Sequence, residues 1–282
     1  MDHTLGRAWR LAIDERRSRR TYSRTPLTRE QTAKLRTFCR EFKPFPDARV
    51  EMVDDAPGLF TKDDVGYGRI TGARAALVFI GKVKSPQADL HVGYVGEAAV
   101  LEATRLGLGT CWTHRMYSAS AVARHVPLEY GERVVAASPL GIVPLTPSVG
   151  ERLQASRATS SARLPVSEIA TSDCLTHSHG MFRDAVEAAR LAPSPLNRQI
   201  WRFTLDGDCL CLSLAGGPEM PRCGKRLDAG IAMLHVDIAL AAAGHDGRWE
   251  VTSGSTVARW RPRMAVVNDV ADENDRRHPI YT

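Results

Sequence analysis

Gly93, Gly107 and Trp112 lie fourteen and five residues apart, and Gly230, Gly244 and Trp249 repeat that spacing half a chain later. Each set opens inside an alanine-rich run, Gly93 to Leu106 and Gly230 to Ala243, with apolar residues on more than one helical face. A helix that is apolar all round belongs inside a protein. The elements around each run recur in the same order: a helix, strands, the buried helix, further strands. A repeat at this offset predicts two copies of one α+β unit packed about a pseudo-twofold axis.

The local patterns fill in that frame. Leu5 to Ile13 has helical spacing and runs into Arg16-Arg17-Ser18-Arg19-Arg20. Thr28 and Gln31 can form a capping box ahead of an amphipathic helix with Leu35, Phe38, Cys39 and Phe42 on one face. Strands are expected at Val50 to Val53, Ala75 to Ile80 and Arg133 to Val143, with a short helix from Ser118 to His125. The polar stretch from Ser148 to Ser178 reads as a long connection. Beyond it come a helix from His179 to Leu191 and strands at Phe203 to Leu205, Cys209 to Leu214, Trp249 to Val251 and Met264 to Val267. The expected division is therefore residues 1–147, a connecting segment 148–178, and residues 179–282.

Composition narrows the function classes. With 43% hydrophobic and 25% charged residues the chain is that of a soluble globular protein. No window reaches eighteen consecutive apolar residues, and the first residues lack a basic segment followed by an apolar one. A cytoplasmic protein without a membrane partner is expected. The six cysteines form no CxxC pair, so reduced thiols are expected. Cys209 and Cys211 share one face of a strand but have no further ligands nearby, and read as core thiols rather than a metal site.

The net charge of +6 is carried by arginine, since only six lysines are present. No basic stripe interleaved with aromatic residues appears, so no nucleic-acid partner is expected. There is no GxxxxGK[ST], HExxH or GxSxG, and Gly107-Leu108-Gly109 lacks the third glycine of a dinucleotide fingerprint.

Three segments carry chemistry. In an extended Arg16-Arg17-Ser18-Arg19-Arg20, residues Arg16, Ser18 and Arg20 project to one side and suit a phosphate monoester; a solvated basic helix end is the plainer alternative. Ala192-Pro193-Ser194-Pro195-Leu196-Asn197-Arg198-Gln199-Ile200-Trp201 is a rigid turn that can aim amide groups at a planar polar ring, or simply join a helix to a strand. Leu106-Gly107-Leu108-Gly109-Thr110-Cys111-Trp112-Thr113-His114-Arg115 is the glycine-rich end of a buried helix.

Together these segments resemble the nitroreductase family of FMN-dependent oxidoreductases. Arg16-Arg17-Ser18-x-Arg20-x-Tyr22 is similar to that family's RRSxRxF signature, Ala192-Pro193-Ser194-x-x-Asn197-x-Gln199-x-Trp201 to APSxxNxQPW, and Gly107-Leu108-Gly109-Thr110-Cys111-Trp112 to GLGxxW. Pro195 and Ile200 depart from the usual turn. Ordinary members are homodimers that build each FMN site from two subunits. Here the first half holds RRSRR and GLGTCW but has Lys43-Pro44-Phe45-Pro46-Asp47 in place of the turn, and the second half holds the turn without RRSxR. The resemblance is to the fused type named "putative TM nitroreductase", a monomer acting as a pseudo-dimer with one complete flavin site.

The resemblance implies these roles. Arg16, Arg17, Ser18 and Arg20 would hold the FMN phosphate, with Arg163 returning to it. Pro193, Ser194 and Asn197 would contact the isoalloxazine, and Arg69 would lie near N1 and O2. Backbone groups of Thr113, His114 and Arg115 would approach N5, with Met116 and Tyr117 as wall residues. His114 as a proton donor is the weaker reading of a lone histidine. No side chain is required as a catalyst and no metal is expected, because the flavin carries the chemistry. The implied activity takes hydride from NADH or NADPH to an electron-poor acceptor such as a nitroaromatic or quinone. The alternatives are an FMN-sequestering protein without efficient turnover, with the long segment as a lid, or a biosynthetic flavin dehydrogenase.

Overall fold

A computed structural model describes residues 3–54, 58–60, 69–114, 116–144, 162–176, 180–216, 224–252 and 254–263. The first half contains α1 (His3–Glu15), α2 (Arg29–Glu41), β1 (Ala48–Val53), β2 (Ala75–Lys82), α3 (Ala88–Arg105), β3 (Gly109–Thr110), α4 (Ala119–His125) and β4 (Glu132–Gly141). Next come α5 (Val166–Ile169), α6 (Ser172–Thr176) and α7 (Met181–Arg190). A 3-10 turn (Pro195–Asn197) follows, then β5 (Trp201–Asp206), β6 (Cys209–Leu214), α8 (Lys225–Ala242), β7 (Gly247–Val251) and β8 (Thr256–Pro262).

The two antiparallel sheets have orders β1-β2-β4-β3 and β5-β6-β8-β7, which is one topology used twice. The fold is α+β, in two pseudo-symmetric halves. Each buried helix follows the second strand of its sheet, and α3 and α8 pack on each other. Gly93 makes that contact possible on one side, because a Cβ there would overlap the Leu227 carbonyl oxygen; Gly230 meets the Leu90 carbonyl in the same way. Both helices are longer than expected, reaching back to Ala88 and Lys225.

The period of two along β2 divides the first half into layers. Leu77 and Phe79 face the central core, while Ala76, Val78 and Ile80 join Leu59, Val122 and Val126 in an outer cluster. The Thr28–Gln31 capping box is present, and Gln31 Nε2 donates to the Leu106 carbonyl at 3.0 Å, tying α2 to the end of α3. Trp9 packs edge-on against Phe38 and Phe42, which are stacked on each other, and donates to Glu102 at 3.0 Å. From α1, Gly6 also rests against Ala241 and Ala242 of α8, so the first half embraces the second.

Residues 166–176 are not extended connection: α5 and α6 pack against α7 and β5, and Ala170 bridges to Phe203. The last described strand, β8, spans Thr256–Pro262, where no strand was expected. The expected strand at Met264 to Val267 lies outside the described residues, as do His179 and most of the Ser148 to Ser178 stretch. Among the described residues no helix is long and apolar enough to cross a membrane.

Candidate functional site

Helix α1 ends at Glu15, and the chain continues as an extended strip. Ser18 bridges to Thr110 and Thr21 to Thr71, both in parallel fashion. Arg19 N donates to the Thr110 carbonyl at 2.8 Å, Thr71 N to the Arg20 carbonyl at 2.9 Å and Tyr22 N to the Thr71 carbonyl at 2.9 Å. Main-chain bonds thus lay the arginine segment between the GLGTCW segment and the strip that follows Arg69. Ser18 and Arg17 are exposed, Arg20 is half-buried and Arg69 is exposed.

Arg16 differs from its neighbours, being only 7% exposed. Burial pushes its guanidinium below the usual range, and Glu97, with Oε1 at 3.8 Å from Arg16 Nε, counters that shift. Arg17 instead donates to the carbonyls of Asp14 at 2.7 Å and Arg16 at 2.8 Å.

The second half supplies the other wall. Arg163 donates to the carbonyls of Ala192 at 2.6 Å and Leu191 at 3.0 Å, the unsatisfied end of α7. Its guanidinium is pushed down to about 10, first by burial and then by the charges of Arg16 and Arg190. Four arginines thus gather at the seam, two from each side, with Glu97 beside Arg16 and Glu187 paired to Arg190.

The turn is joined to the same place. Asn197 Nδ2 donates to the Ala162 carbonyl at 3.0 Å, and Leu164 N donates to Gln199 Oε1 at 3.0 Å. Ser194 Oγ accepts from Gln199 N at 3.0 Å, while Pro193 is buried. Leu196, Asn197 and Gln199 all have positive φ, so the turn is held in a conformation that L residues rarely adopt.

His114 of the first half lies close enough to Arg198 of the second to feel its charge. Burial lowers the His114 pKa, opposed by a backbone hydrogen bond at Val135 and by the Asp89 charge and aided last by Arg198, and His114 Nδ1 has no hydrogen-bond partner among the described residues. Arg198 Nη2 lies 3.2 Å from Asp228 Oδ2 at the first turn of α8. Burial raises that carboxyl to about 7 although the guanidinium opposes it.

The expectation for Thr113 needs correction. Thr113 N donates to the Ala137 carbonyl and Ala137 N to the Thr113 carbonyl, both at 2.9 Å. The Thr113 N–H is therefore consumed by β4 and is not available to a ligand. Arg115 lies outside the described residues. Met116 is buried beside Tyr22 and Ile70 rather than lining an open slot, and Tyr117 packs on the outer cluster with Val78 and Val122.

On the pseudo-equivalent side, Phe45 lies flat on His91, with ring centroids 3.9 Å apart and planes 6° from parallel. His91 Nδ1 is 2.6 Å from Asp47 Oδ1, and Ser85 donates to the same carboxylate. A cavity of about 240 Å³ in the first half, lined by Ser23, Asp54, Arg74 and Leu140 among others, lies away from the arginine cluster. Among the described residues no group of three or more His, Cys, Asp or Glu side chains is arranged to hold a metal ion.

Sequence reasoning passed over Glu97, Asp228, His235, Arg190 and Arg198. For Glu97 and His235 a signal existed: an ionisable residue within an alanine-rich stretch that is to be buried has to be paired.

Two fused α+β units with a cationic cluster and a strained turn across their seam define the nitroreductase-like class of fold. The chain belongs to the family described as "Putative TM nitroreductase", whose profile matches residues 10–240. Among solved structures, a protein from Thermotoga maritima described as a putative nitroreductase is similar at 18% identity and a TM-score of 0.58. That match covers 89% of this chain and 92% of that one. A nitroreductase with bound FMN from Bacteroides fragilis is matched at 15% identity, over 50% of this chain and 91% of that one, with a TM-score of 0.40. A putative NADH dehydrogenase/NAD(P)H nitroreductase from Bacteroides thetaiotaomicron is matched at 22% identity, over 50% and 89%, also at 0.40. No protein of curated function matches the chain.

Proposed function

We propose that the chain is an oxidoreductase that binds one FMN across its two halves and acts as a monomeric pseudo-dimer. When bound, FMN supplies the redox chemistry, taking hydride from NADH or NADPH and passing electrons to an electron-poor acceptor such as a nitroaromatic or quinone.

The observation that carries this reading is the meeting of Arg163 with Arg16. Arg163 is fixed by the carbonyls at the end of α7 and feels the charges of Arg16 and Arg17, while the neighbouring Ala162 carbonyl is held by Asn197. Arg163 thus stands close enough to Arg16 to feel its charge while its neighbour Ala162 holds the turn, which sets the segment similar to RRSxR beside the segment similar to PSxxN. The residues suit the group: Arg16 Nε is buried without a hydrogen-bond partner among the described residues, and a phosphate dianion is the ligand a buried arginine cluster prefers.

In this reading Arg16, Arg17, Ser18, Arg20 and Arg163 bind the phosphate. Pro193, Ser194 and Asn197 bound the ring from the second half. The hydrogen bonds from Asn197 to Ala162 and from Leu164 to Gln199 hold that edge in place against the strain of its positive φ values. His114, favoured as neutral imidazole by burial and by Arg198, adds no further positive charge at the ring end. Arg69 supplies a cation near the strip that carries Arg20.

The test is to add FMN to the purified protein, measure the stoichiometry, and follow bleaching of the bound flavin by NADH and by NADPH without oxygen. One FMN per chain and bleaching by at least one nicotinamide are expected. A chain that ignores FMN overturns the proposal, and bound flavin that neither nicotinamide reduces points to sequestration instead.

A further inference from the structure

The seam between α3 and α8 holds a polar chain that the proposed function leaves unused. Glu97 and His235 are fully buried in helices that are otherwise mostly apolar. Trp112 Nε1 donates to Glu97 Oε2 at 2.6 Å, and His235 Nε2 lies 3.2 Å from Glu97 Oε1. The other ring nitrogen, Nδ1, is 2.8 Å from the Ala188 carbonyl oxygen. A carbonyl only accepts, so Nδ1 carries a hydrogen.

Were Nε2 and Oε1 both bare, two lone pairs would face each other in a dry interior. One proton therefore lies between them, as imidazolium against carboxylate or imidazole against carboxylic acid. Arg16 Nε stands 3.8 Å from the same Oε1, beyond hydrogen-bond distance. In the repeat frame the counterparts of Glu97 and His235 are Leu234 and Ala98, both buried and apolar, so the pair exists once, on the side that carries Arg16.

We propose that Glu97 and His235 are positioning residues for Arg16: the proton they share occupies Glu97 Oε1 and keeps the carboxylate from drawing the guanidinium into a direct hydrogen bond, which leaves Arg16 available to a phosphate dianion. Where His235 is absent, Oε1 is free to take Arg16 inward and phosphate binding weakens. The inference rests on the reading above only in naming that phosphate as the one on FMN.

The test measures FMN binding by flavin fluorescence at about pH 7.5, where the phosphate is already a dianion, since its second pKa is about 6. Riboflavin, which lacks the phosphate, is the reference ligand. H235L, which strips Glu97 Oε1 of its partner, is expected to lose FMN affinity by about tenfold with riboflavin unaffected, and the double variant E97L/H235L is expected to recover most of that loss. An H235L protein that binds FMN as the wild type does, or a loss that persists in full in the double variant, overturns the proposal. A second measurement needs neither FMN nor folded variants: nitrogen NMR of labelled histidine in the wild-type protein. A His235 Nδ1 without its hydrogen at pH 7 overturns the proposal. If FMN does not bind at all while the NMR behaves as expected, the flavin reading has failed and the proton pair stands.

Discussion

Gly93 and Gly230 mark the two sides of one helix crossing, each facing a backbone carbonyl of the other helix, Gly93 that of Leu227 and Gly230 that of Leu90. Neither obstacle is the movable end of a side chain, so neither helix can yield locally. G230A is expected to cost about 3 kcal/mol, at the upper end of overpacking effects, and G93A a similar amount. Because separating the helices once relieves both clashes, the double variant is expected to cost less than the sum. Urea unfolding of the four proteins measures this; strictly additive losses would rule out a shared crossing.

Arg163 answers for the phosphate reading. R163Q removes a charge that two carbonyls hold in place, and a hydrogen bond to a charged group is worth about 1.5–3 kcal/mol. FMN affinity is expected to fall roughly tenfold to a hundredfold, with riboflavin affinity nearly unchanged. Equal losses for both ligands would place Arg163 in the structure of the turn and not at the phosphate.

Leu196 has φ 53° and a side chain that is 59% exposed, so its backbone is strained without a packing return. L196G removes a cost of about 1 kcal/mol, partly offset by the greater freedom of glycine when unfolded. A small rise in Tm is expected, and a clear fall would show that the Leu196 side chain holds something in place.

Two carboxyls set the acid side of the stability curve. Asp228 and Asp237 are both raised to about 7 by burial, Asp237 while accepting from Tyr94 at 2.7 Å and Trp260 at 3.0 Å. The folded chain therefore holds protons that the unfolded chain has released. The stability linked to them is fully present below about pH 4 and is lost as pH rises to about 7, by at most about 1.4 kcal/mol per pH unit for each group. Denaturant titrations at pH 4, 5.5 and 7 are expected to show that slope, reduced in D237N. An unchanged slope in D237N would mean that Asp237 titrates normally.

Much of the architecture was legible because it depends on local pattern. The spacing of Gly93, Gly107 and Trp112 against Gly230, Gly244 and Trp249 announced two like halves, and Thr28 with Gln31 marked a helix start that the structure contains. Strand β8 was missed because Thr256–Pro262 carries Arg259 and Arg261, facing Asp206 and Glu250, in place of a simple apolar alternation. The polar seam was also hidden. His235 and Glu97 are 138 residues apart, and their pairing is set by how two helices cross, which no local pattern encodes. Likewise, that β4 claims the Thr113 N–H depends on a partner, Ala137, on a later strand.

The lone Glu97–His235 pair has a consequence for how such a chain can change. When two identical subunits meet on a twofold axis, every mutation is written on both sides, and a buried acid with its histidine would have to be accommodated in duplicate. A gene that encodes both partners lifts that restriction. Here one side of the crossing can keep ionisable groups while its mirror image settles for leucine and alanine, and selection can act on either without touching the other.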